Sequence, residues 1–184
     1  MTNSKTNRKQ FIYYISGMIA LVLLIIFDQW TKMVVVNKLM NKEPFIIVEH
    51  IFQFQYLENR GAAFGILQNQ RWFFLIACVI ILSAIAYVYY KMPPIKKYNF
   101  LRVLAVLMAA GAIGNMIDRV ANNYVVDFMY FKLINFPIFN VADCYVTVSA
   151  ALLIIAILFI YKEDDFNFIQ KGKAQAPGDV DDTK

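Results

Sequence analysis

Residues Pro137–Tyr161 have the sequence "PIFNVADCYVTVSAALLIIAILFIY", in which an aspartate stands at the start of a long uncharged run. No side chain from Val146 to Tyr161 carries a charge, and the apolar segment can be extended back to Asn140 with Asp143 as its one charged residue. A helix needs roughly 20 apolar residues, within a range of about 17 to 25, to cross a bilayer. Asp143 therefore lies where a membrane crossing should begin. A carboxylate is costly at that depth, which makes it a functional candidate.

Three further segments are apolar enough to cross a membrane. Phe11–Phe27 and Trp72–Tyr90 contain no charge, and Phe100–Ile117 contains only Arg102, near its start. In the composition, 60% of the residues are hydrophobic and 17% are charged, which is too apolar for an ordinary soluble domain. The sequence therefore predicts a membrane all-α protein with four transmembrane helices. The small residues of "MAAGAIGN" in the third segment predict a close approach between helices.

Two clusters of basic residues predict how the chain is oriented. They are Lys5, Arg8 and Lys9 near the N-terminus, and Lys91, Lys96 and Lys97 in the short loop between the second and third segments. Basic residues favour the cytoplasmic side, so we expect both clusters there. The outer segments 37–71 and 118–140 then face outward, and both termini face inward. The net charge of +5 is scattered and not clustered, so a nucleic-acid partner is not expected.

The connecting segments carry weaker signals. In "IFQFQYL" aromatic side chains alternate with glutamines from Phe52 to Tyr56, which predicts a strand. "GILQNQRWF", residues 65–73, is expected to form a short interfacial helix. Residues 162–184 have mixed charge and are predicted to be a disordered cytoplasmic tail that follows the membrane domain of residues 1–161.

The remaining polar residues cluster at the predicted outer ends of the helices. Helical spacing arranges three pairs on shared faces: Asp28 with Lys32, Asn115 with Arg119, and Asn140 with Asp143. For Asp28 and Lys32, a salt bridge at a helix end is favoured over a direct role with substrate. Asn140 is also a candidate N-cap, and Asp143 a candidate first-turn acid favoured by the helix dipole. Asn59 could be a turn residue.

Those structural roles leave one pair unexplained. Asp127 lies in the apolar stretch "YVVDFMYF", and Asp143 follows in "FNVAD". Two carboxylates near a low-dielectric boundary can share a proton, so that one serves as a base and the other as an acid. The spacing alone is a weak signal, and it becomes useful only if the fold brings the two together.

Two other function classes compete with an enzyme. A small four-helix transporter or proton relay could use Asp127 and Asp143, but a permeation path should show polar positions deeper in several helices. The second segment offers only Cys78 and Ser83. A membrane scaffold without activity would leave the clustered carboxylates unexplained. The single histidine, His50, is insufficient for an HExxH zinc site.

Five stretches occur together in this chain in a specific order: "DQWTK", "NRGAAFG", "GNMIDR", "VVDF" and "PIFNVAD". In this order and spacing they resemble the lipoprotein signal peptidase family, also called signal peptidase II or prolipoprotein signal peptidase. The resemblance covers nearly the whole chain before the tail. It departs locally at Asn123, where many members have a glycine. Asparagine tolerates the left-handed backbone region better than most residues, so we expect the turn to survive.

The resemblance implies an aspartic endopeptidase of the bacterial cytoplasmic (inner) membrane, with four transmembrane helices and a small extracytoplasmic β-cradle. Asp127 and Asp143 match the catalytic pair. Substrate-binding or supporting roles are implied for Asn59, Asn115, Arg119, Asn140, Asp28 and Lys32. The implied substrates are diacylglyceryl-modified prolipoproteins, cut just before the lipidated cysteine at the extracytoplasmic face. Membrane lipid and globomycin-type inhibitors are the implied partners, and no metal or other cofactor is implied.

Overall fold

Four long helices make up most of the protein. The computed structural model describes residues 2–61 and 66–170. The helices are α1 (Thr2–Leu39), α2 (Arg71–Lys91), α3 (Asn99–Asn122) and α4 (Val141–Phe159), and a fifth, very short α5 is Asn167–Gln170. Strands β1 (Phe45–Val48), β2 (Phe52–Asn59) and β3 (Val125–Phe131) form one sheet. The four long helices are each apolar and long enough to cross a membrane, which confirms the predicted architecture.

Helix α3 is the centre of the bundle, because α1, α2 and α4 all pack against it. Its small residues make this possible. A Cβ atom added at Gly111 would collide with the carbonyl oxygen of Ala142 on α4, and one added at Gly114 would lie 2.5 Å from Oδ2 of Asp28 on α1. The close approach predicted from "MAAGAIGN" is confirmed, and it brings α1 and α4 to the same part of α3.

The sheet is antiparallel in the order β1-β2-β3 and lies at the end of the bundle where α3 finishes. The alternating stretch from Phe52 forms β2, as predicted. Leu57 of β2 pairs with Asp127 of β3. After β3 the chain turns back, and the backbone of Phe139 bonds to Met129 in both directions, at 2.8 and 3.1 Å. This return places the start of α4 beside the middle of β3.

Two local expectations differ from the structure. Helix α1 continues to Leu39, so Asp28 and Lys32 lie within the helix and do not close it. Residues 66–69 form turns, and α2 begins directly at Arg71. The described part of the predicted interfacial helix is therefore irregular. Leu67 and Asn69 have φ values of 55° and 62°, and left-handed residues interrupt a right-handed helix.

The turn after α3 forms with Asn123 at the position where many family members have a glycine. Asn123 has φ 67° and ψ 7°, in the left-handed region, and forms the C-cap of α3. This is the conformation expected for that position.

The segment after α4 is more ordered than expected. A 3₁₀ turn at Glu163–Phe166 and α5 follow Lys162, whereas disorder was predicted from Lys162 onward. Phe166 and Phe168 pack against the apolar cluster at this end of the bundle, and Lys97 forms an ion pair with Asp165. These contacts order the segment although its composition is polar. Residues 171–184 lie outside the described residues. The disordered tail predicted for them, and the domain boundary predicted at residue 161, therefore remain predictions.

We predict that Phe168→Ala destabilises the protein. The Phe168 ring lies 5.2 Å from the ring of Tyr98, centroid to centroid. Because Phe168 is half-buried, we expect a loss of about 2 kcal/mol, below the ~3–5 kcal/mol typical of a fully buried phenylalanine. Thermal unfolding in detergent measures the effect. Phe159→Ala is the control, since Phe159 is 80% exposed. Equal melting temperatures for the two variants would contradict packing of this segment.

Candidate active site

Asp127 is held in β3 with 1% of its surface exposed. Asn59 donates from Nδ2 to Oδ2 of Asp127 at 2.8 Å, and Asn140 donates from Nδ2 to Oδ1 at 2.6 Å. Burial, followed by the negative charge of Asp143, raises the pKa of Asp127 to about 7. The two asparagine hydrogen bonds and the charge of Lys32 oppose this rise. Asp127 therefore holds a proton more readily than an ordinary aspartate.

Asp143 lies in the first turn of α4 and closes a capping box with Asn140. Its backbone N–H donates to Oδ1 of Asn140 at 3.0 Å, while its own Oδ2 accepts from the backbone N–H of Asn140 at 3.1 Å. Its other oxygen, Oδ1, accepts from Nδ2 of Asn115 at 2.7 Å. The N-cap and first-turn roles considered for these two residues are both present.

Asn140 connects the two carboxylates. It is fully buried, and its side-chain N–H₂ donates to Asp127 and also to Oδ1 of Asn115 at 3.0 Å. Its backbone N–H donates to Asp143. Asp127 and Asp143 are thus brought into one hydrogen-bonded unit, as the paired-carboxylate hypothesis requires. Each of the four carboxylate oxygens accepts an N–H and keeps a second acceptor position for a proton or a water molecule.

A buried ionic cluster supports this unit from the α1 side. The ammonium group of Lys32 lies 2.9 Å from Asp28, 3.0 Å from Asp118 and 3.0 Å from Oδ1 of Asn115. The salt bridge expected between Asp28 and Lys32 is present, with Asp118 as an additional partner. All three charged groups are buried. Paired in this way, they avoid the desolvation cost that an isolated buried charge would carry.

The carboxylates of the cluster also fix backbone. Oδ1 of Asp28 accepts from the backbone N–H of Ala142 at 2.9 Å, and Oδ2 of Asp118 accepts from that of Val126 at 3.1 Å. Ala142 immediately precedes Asp143, and Val126 immediately precedes Asp127. Each catalytic candidate is therefore anchored through its chain neighbour.

Arg119 approaches the site from the last turn of α3. It donates to the carbonyl oxygens of Gly61 and Asn115 at 3.1 and 3.4 Å, and its guanidinium lies 4.4 Å from the centre of the Phe74 ring. Its charge attracts both carboxylates of the pair, Asp143 more than Asp127. Arg119 is thus a fixed positive charge beside the pair.

Besides Asp118, two supporting residues were not selected from the sequence. Gln29 donates to Asp118 at 2.9 Å and to the Gly114 carbonyl at 3.1 Å, which ties α1 to α3. Gly61 donates its N–H to Oδ1 of Asn59 at 3.0 Å. Asn59 therefore acts as a turn residue and as a donor to Asp127 at once. The sequence signal for each is its place in a stretch that resembles the family: Gln29 lies in "DQWTK" and Gly61 in "NRGAAFG". Residues 62–65 of "NRGAAFG" lie outside the described residues.

A family model described as "Signal peptidase (SPase) II" matches residues 19–159. This chain belongs to the signal peptidase II family. It is a multi-pass membrane protein with the enzyme architecture of that family. Among the residues described, no group of three or more His, Cys, Asp or Glu side chains is arranged to hold a metal ion.

Individual relatives agree with the signal peptidase II assignment. The chain is 42% identical over 147 residues to a lipoprotein signal peptidase from Streptococcus thermophilus (strain CNRZ 1066), covering 80% of this chain and 93% of that protein. It is 41% identical over 139 residues to a lipoprotein signal peptidase from Clostridioides difficile (strain 630), covering 76% and 92%.

Solved structures agree with the fold of this signal peptidase II. A bacterial membrane enzyme structure obtained by the in meso method at 2.3 Å resolution superposes with a TM-score of 0.70 and is 36% identical. The match covers 80% of this chain and 92% of the solved chain. A second, at 1.9 Å resolution, gives a TM-score of 0.69 and 37% identity, with coverage of 79% and 94%.

Removing the ammonium group of Lys32 should destabilise this signal peptidase II strongly. Lys32→Met leaves Asp28 and Asp118 buried without their cation, and breaking a buried ion pair costs ~3–5 kcal/mol. Thermal unfolding in detergent measures the loss. The triple variant Asp28→Asn/Lys32→Met/Asp118→Asn should recover part of it, because it removes all three charges together. A parent-like melting temperature for Lys32→Met would show that the ammonium is not the counter-ion of this cluster.

Proposed function

We propose that this signal peptidase II is an aspartic endopeptidase that removes signal peptides from diacylglyceryl-modified prolipoproteins, cutting just before the lipidated cysteine. Asp127 and Asp143 are its catalytic pair. The observation that carries this proposal is the hydrogen-bonded unit in which Asn140 donates to both carboxylates at the end of a membrane bundle. Family membership supports signal-peptide cleavage, and the names of the relatives support lipoproteins as substrates.

The two carboxylates divide the chemistry between them. Asp143 accepts a proton from water, and the resulting hydroxide attacks the scissile carbonyl carbon. Asp127 gives its proton to the carbonyl oxygen, which forms a neutral tetrahedral diol. Asp143 then returns its proton to the amide nitrogen, Asp127 takes a proton from one hydroxyl of the diol, and the C–N bond breaks. The products are the carboxylic acid of the signal peptide, which ionises in water, and the amine of the lipidated cysteine, and both aspartates return to their starting states.

The surroundings favour this division of roles. Burial and the charge of Asp143 raise the pKa of Asp127 to about 7, so Asp127 can hold a proton near neutral pH. Asp143 lies in the first turn of α4 and accepts from Asn115 and from the backbone N–H of Asn140, contacts that suit a carboxylate acting as the base. The pair acts with one proton, so kcat/KM should fall as pH rises above about 7 and that proton is lost. The apparent pKa belongs to the pair as a unit.

The position of the pair suits a substrate that is itself membrane-bound. The pair lies at the sheet end of the bundle, the end at which apolar side chains such as Trp30 of α1 and Phe45 of β1 are exposed. A signal-peptide helix in the bilayer would present its C-terminal boundary at this level. We therefore infer recognition of the diacylglyceryl group by the membrane-level apolar surface, and competition by globomycin-type inhibitors at the same site.

We propose that the active-site end is extracytoplasmic and that both termini are cytoplasmic. The N-terminal part of α1, the 91–99 loop and the segment after α4 share the opposite end of the bundle: Gln10 donates to the Met92 carbonyl at 3.4 Å, and Tyr161 donates to the Lys97 carbonyl at 2.8 Å. The two basic clusters belong to that end, and basic residues favour the cytoplasm.

Single-cysteine labelling of intact cells tests the orientation. Lys96→Cys and Asn122→Cys are placed separately in a Cys78→Ala/Cys144→Ala background, because both target residues are exposed and lie at opposite ends of α3. A membrane-impermeant maleimide should label the variant at Asn122 and leave the variant at Lys96 unlabelled until the cells are lysed. The reverse pattern would turn the active site to the cytoplasm.

Substitution of either catalytic aspartate by asparagine should abolish cleavage. Asp127→Asn and Asp143→Asn keep the side-chain shape but remove a group that can exchange a proton. Because the two act as a unit, the double variant should be little slower than either single one. Turnover of a diacylglyceryl-modified prolipoprotein is measured in detergent, alongside the melting temperature of each variant. Asparagine at position 143 can still accept the cap hydrogen bond from Asn140, so an inactive but folded variant separates catalysis from capping.

Two results would contradict parts of the proposal separately. A folded Asp143→Asn enzyme with near-parent turnover would leave that residue with a capping role alone. Equal cleavage of lipidated and unmodified precursors by the parent enzyme would remove lipid recognition and leave the catalytic pair in place.

A further inference from the structure

The first turn of α2 is fastened to the last turn of α3 by one guanidinium group. Arg71 donates from Nη2 to the Val120 carbonyl at 3.0 Å and from Nη1 to Oδ1 of Asn123. The planar fork of arginine suits two acceptors at once. Gln70, the N-cap residue of α2, makes no side-chain capping hydrogen bond. Within the described part of the chain, the Arg71 guanidinium supplies the polar attachment of the first turn of α2 to α3.

Asn123 contributes two separate properties to the contact. Its left-handed backbone, with φ 67°, ends α3 and turns the chain into β3. Its side-chain oxygen accepts from Arg71. A glycine would adopt the same backbone without strain but would supply no acceptor. The two properties can therefore be separated by a single substitution.

The contact is adjacent to the fixed charge of the active site. Phe74 follows Arg71 by three residues, so both project from the same side of the first turn of α2. The Phe74 ring lies 4.4 Å from the guanidinium carbon of Arg119, which precedes Val120 in α3. Arg119 in turn donates to the Gly61 carbonyl and attracts both catalytic carboxylates. Movement of the start of α2 would shift Phe74, and the Arg119 guanidinium would lose its contact with the Phe74 ring.

We propose that Arg71 and Asn123 are positioning residues, forming a clasp between α2 and α3 that keeps Phe74 against Arg119 and so keeps the Arg119 charge at the catalytic pair. The clasp acts through Arg119 and does not touch substrate. This inference rests on the proposed function, since it assigns a role in the reaction of Asp127 and Asp143.

Paired substitutions test the clasp in the full-length enzyme in detergent, with a synthetic diacylglyceryl-modified prolipoprotein peptide as the probe. Asn123→Gly removes the acceptor and Arg71→Met removes the donor. Each should lower kcat by ~10-fold with KM within about twofold of the parent, since small misplacements far from the bond being cut can have effects of this size. The double variant should be no slower than the slower single variant, because the two residues make one contact.

The pH profile separates positioning from a purely structural role. The cations around the pair are Lys32 and Arg119, which favour its ionised forms. Asp28 and Asp118 are paired with Lys32, and the thiols of Cys144 and Cys78 face Asp143 and Arg119, respectively. If Arg119 is released, the pair should keep its shared proton to a higher pH. The alkaline limb of kcat should therefore move upward in Asn123→Gly and Arg71→Met.

Asn135→Gly is the matched control. Asn135 is also left-handed, with φ 47°, and its Oδ1 accepts from the Tyr130 hydroxyl at 2.6 Å, but it lies beyond the far end of β3. Its glycine variant should keep the parent kcat and pH profile. Asn123→Asp, which retains an acceptor for Arg71, should keep most of the activity.

Three outcomes have different meanings. Parent-like kcat and an unmoved alkaline limb in both clasp variants would overturn the inference. A lowered melting temperature with unchanged kcat would also overturn it, because the contact would then be structural only. Activity in a folded Asp127→Asn enzyme would instead overturn the proposed function, whatever the clasp variants show.

Discussion

The arrangement of the site depends on one buried ammonium group. Lys32 lies between Asp28 of its own helix and Asp118 of α3, and it also donates to Asn115. The cation holds both carboxylates in place, and each also accepts a hydrogen bond from a backbone N–H group. Asp28 accepts from the first turn of α4, and Asp118 accepts from β3. Three helices and a strand therefore meet at one charge in a region that excludes water. A carboxylate left without that cation would be a buried charge with no ionic partner, which is costly.

In the proposed mechanism, helix capping and catalysis use the same atoms at the start of α4. Asn140 caps the helix through its side-chain oxygen and bridges to Asp127 through its side-chain nitrogen. Asp143 completes the capping box with one oxygen and receives Asn115 on the other. The helix N-terminus adds a favourable field for negative charge at Asp143. These hydrogen bonds fix the orientation of the Asp143 carboxylate before substrate binds. The proposed general base needs this preorganisation.

The local parts of this arrangement could be predicted from the sequence, and the long-range parts could not. Apolar length predicted the four helices, and helical spacing predicted the pairing of Asp28 with Lys32 and the cap at Asn140, because these contacts lie within one turn. Spacing alone could not place Asp127 beside Asn140, since that depends on the two backbone hydrogen bonds between Met129 and Phe139. The bond from Gln29 to Asp118 depends on how closely α1 and α3 pack. The order after Lys162 was missed because Phe168 finds its partner, Tyr98, on a different helix.

An excess of carboxylates over cations explains how an acid persists at the site. Within the described part of the chain, the four carboxylates of Asp28, Asp118, Asp127 and Asp143 lie near two cations, Lys32 and Arg119. Full ionisation would leave two uncompensated negative charges near a low-dielectric boundary, which is costly. Lys32 is already engaged by Asp28 and Asp118, so its effect on Asp127 is small beside burial and the charge of Asp143. A second free cation at this level would favour ionisation of both Asp127 and Asp143, and the proposed mechanism would then lack its acid. The supporting cluster thus holds the helices together and, by occupying the lysine, lets the proposed catalytic pair keep a shared proton.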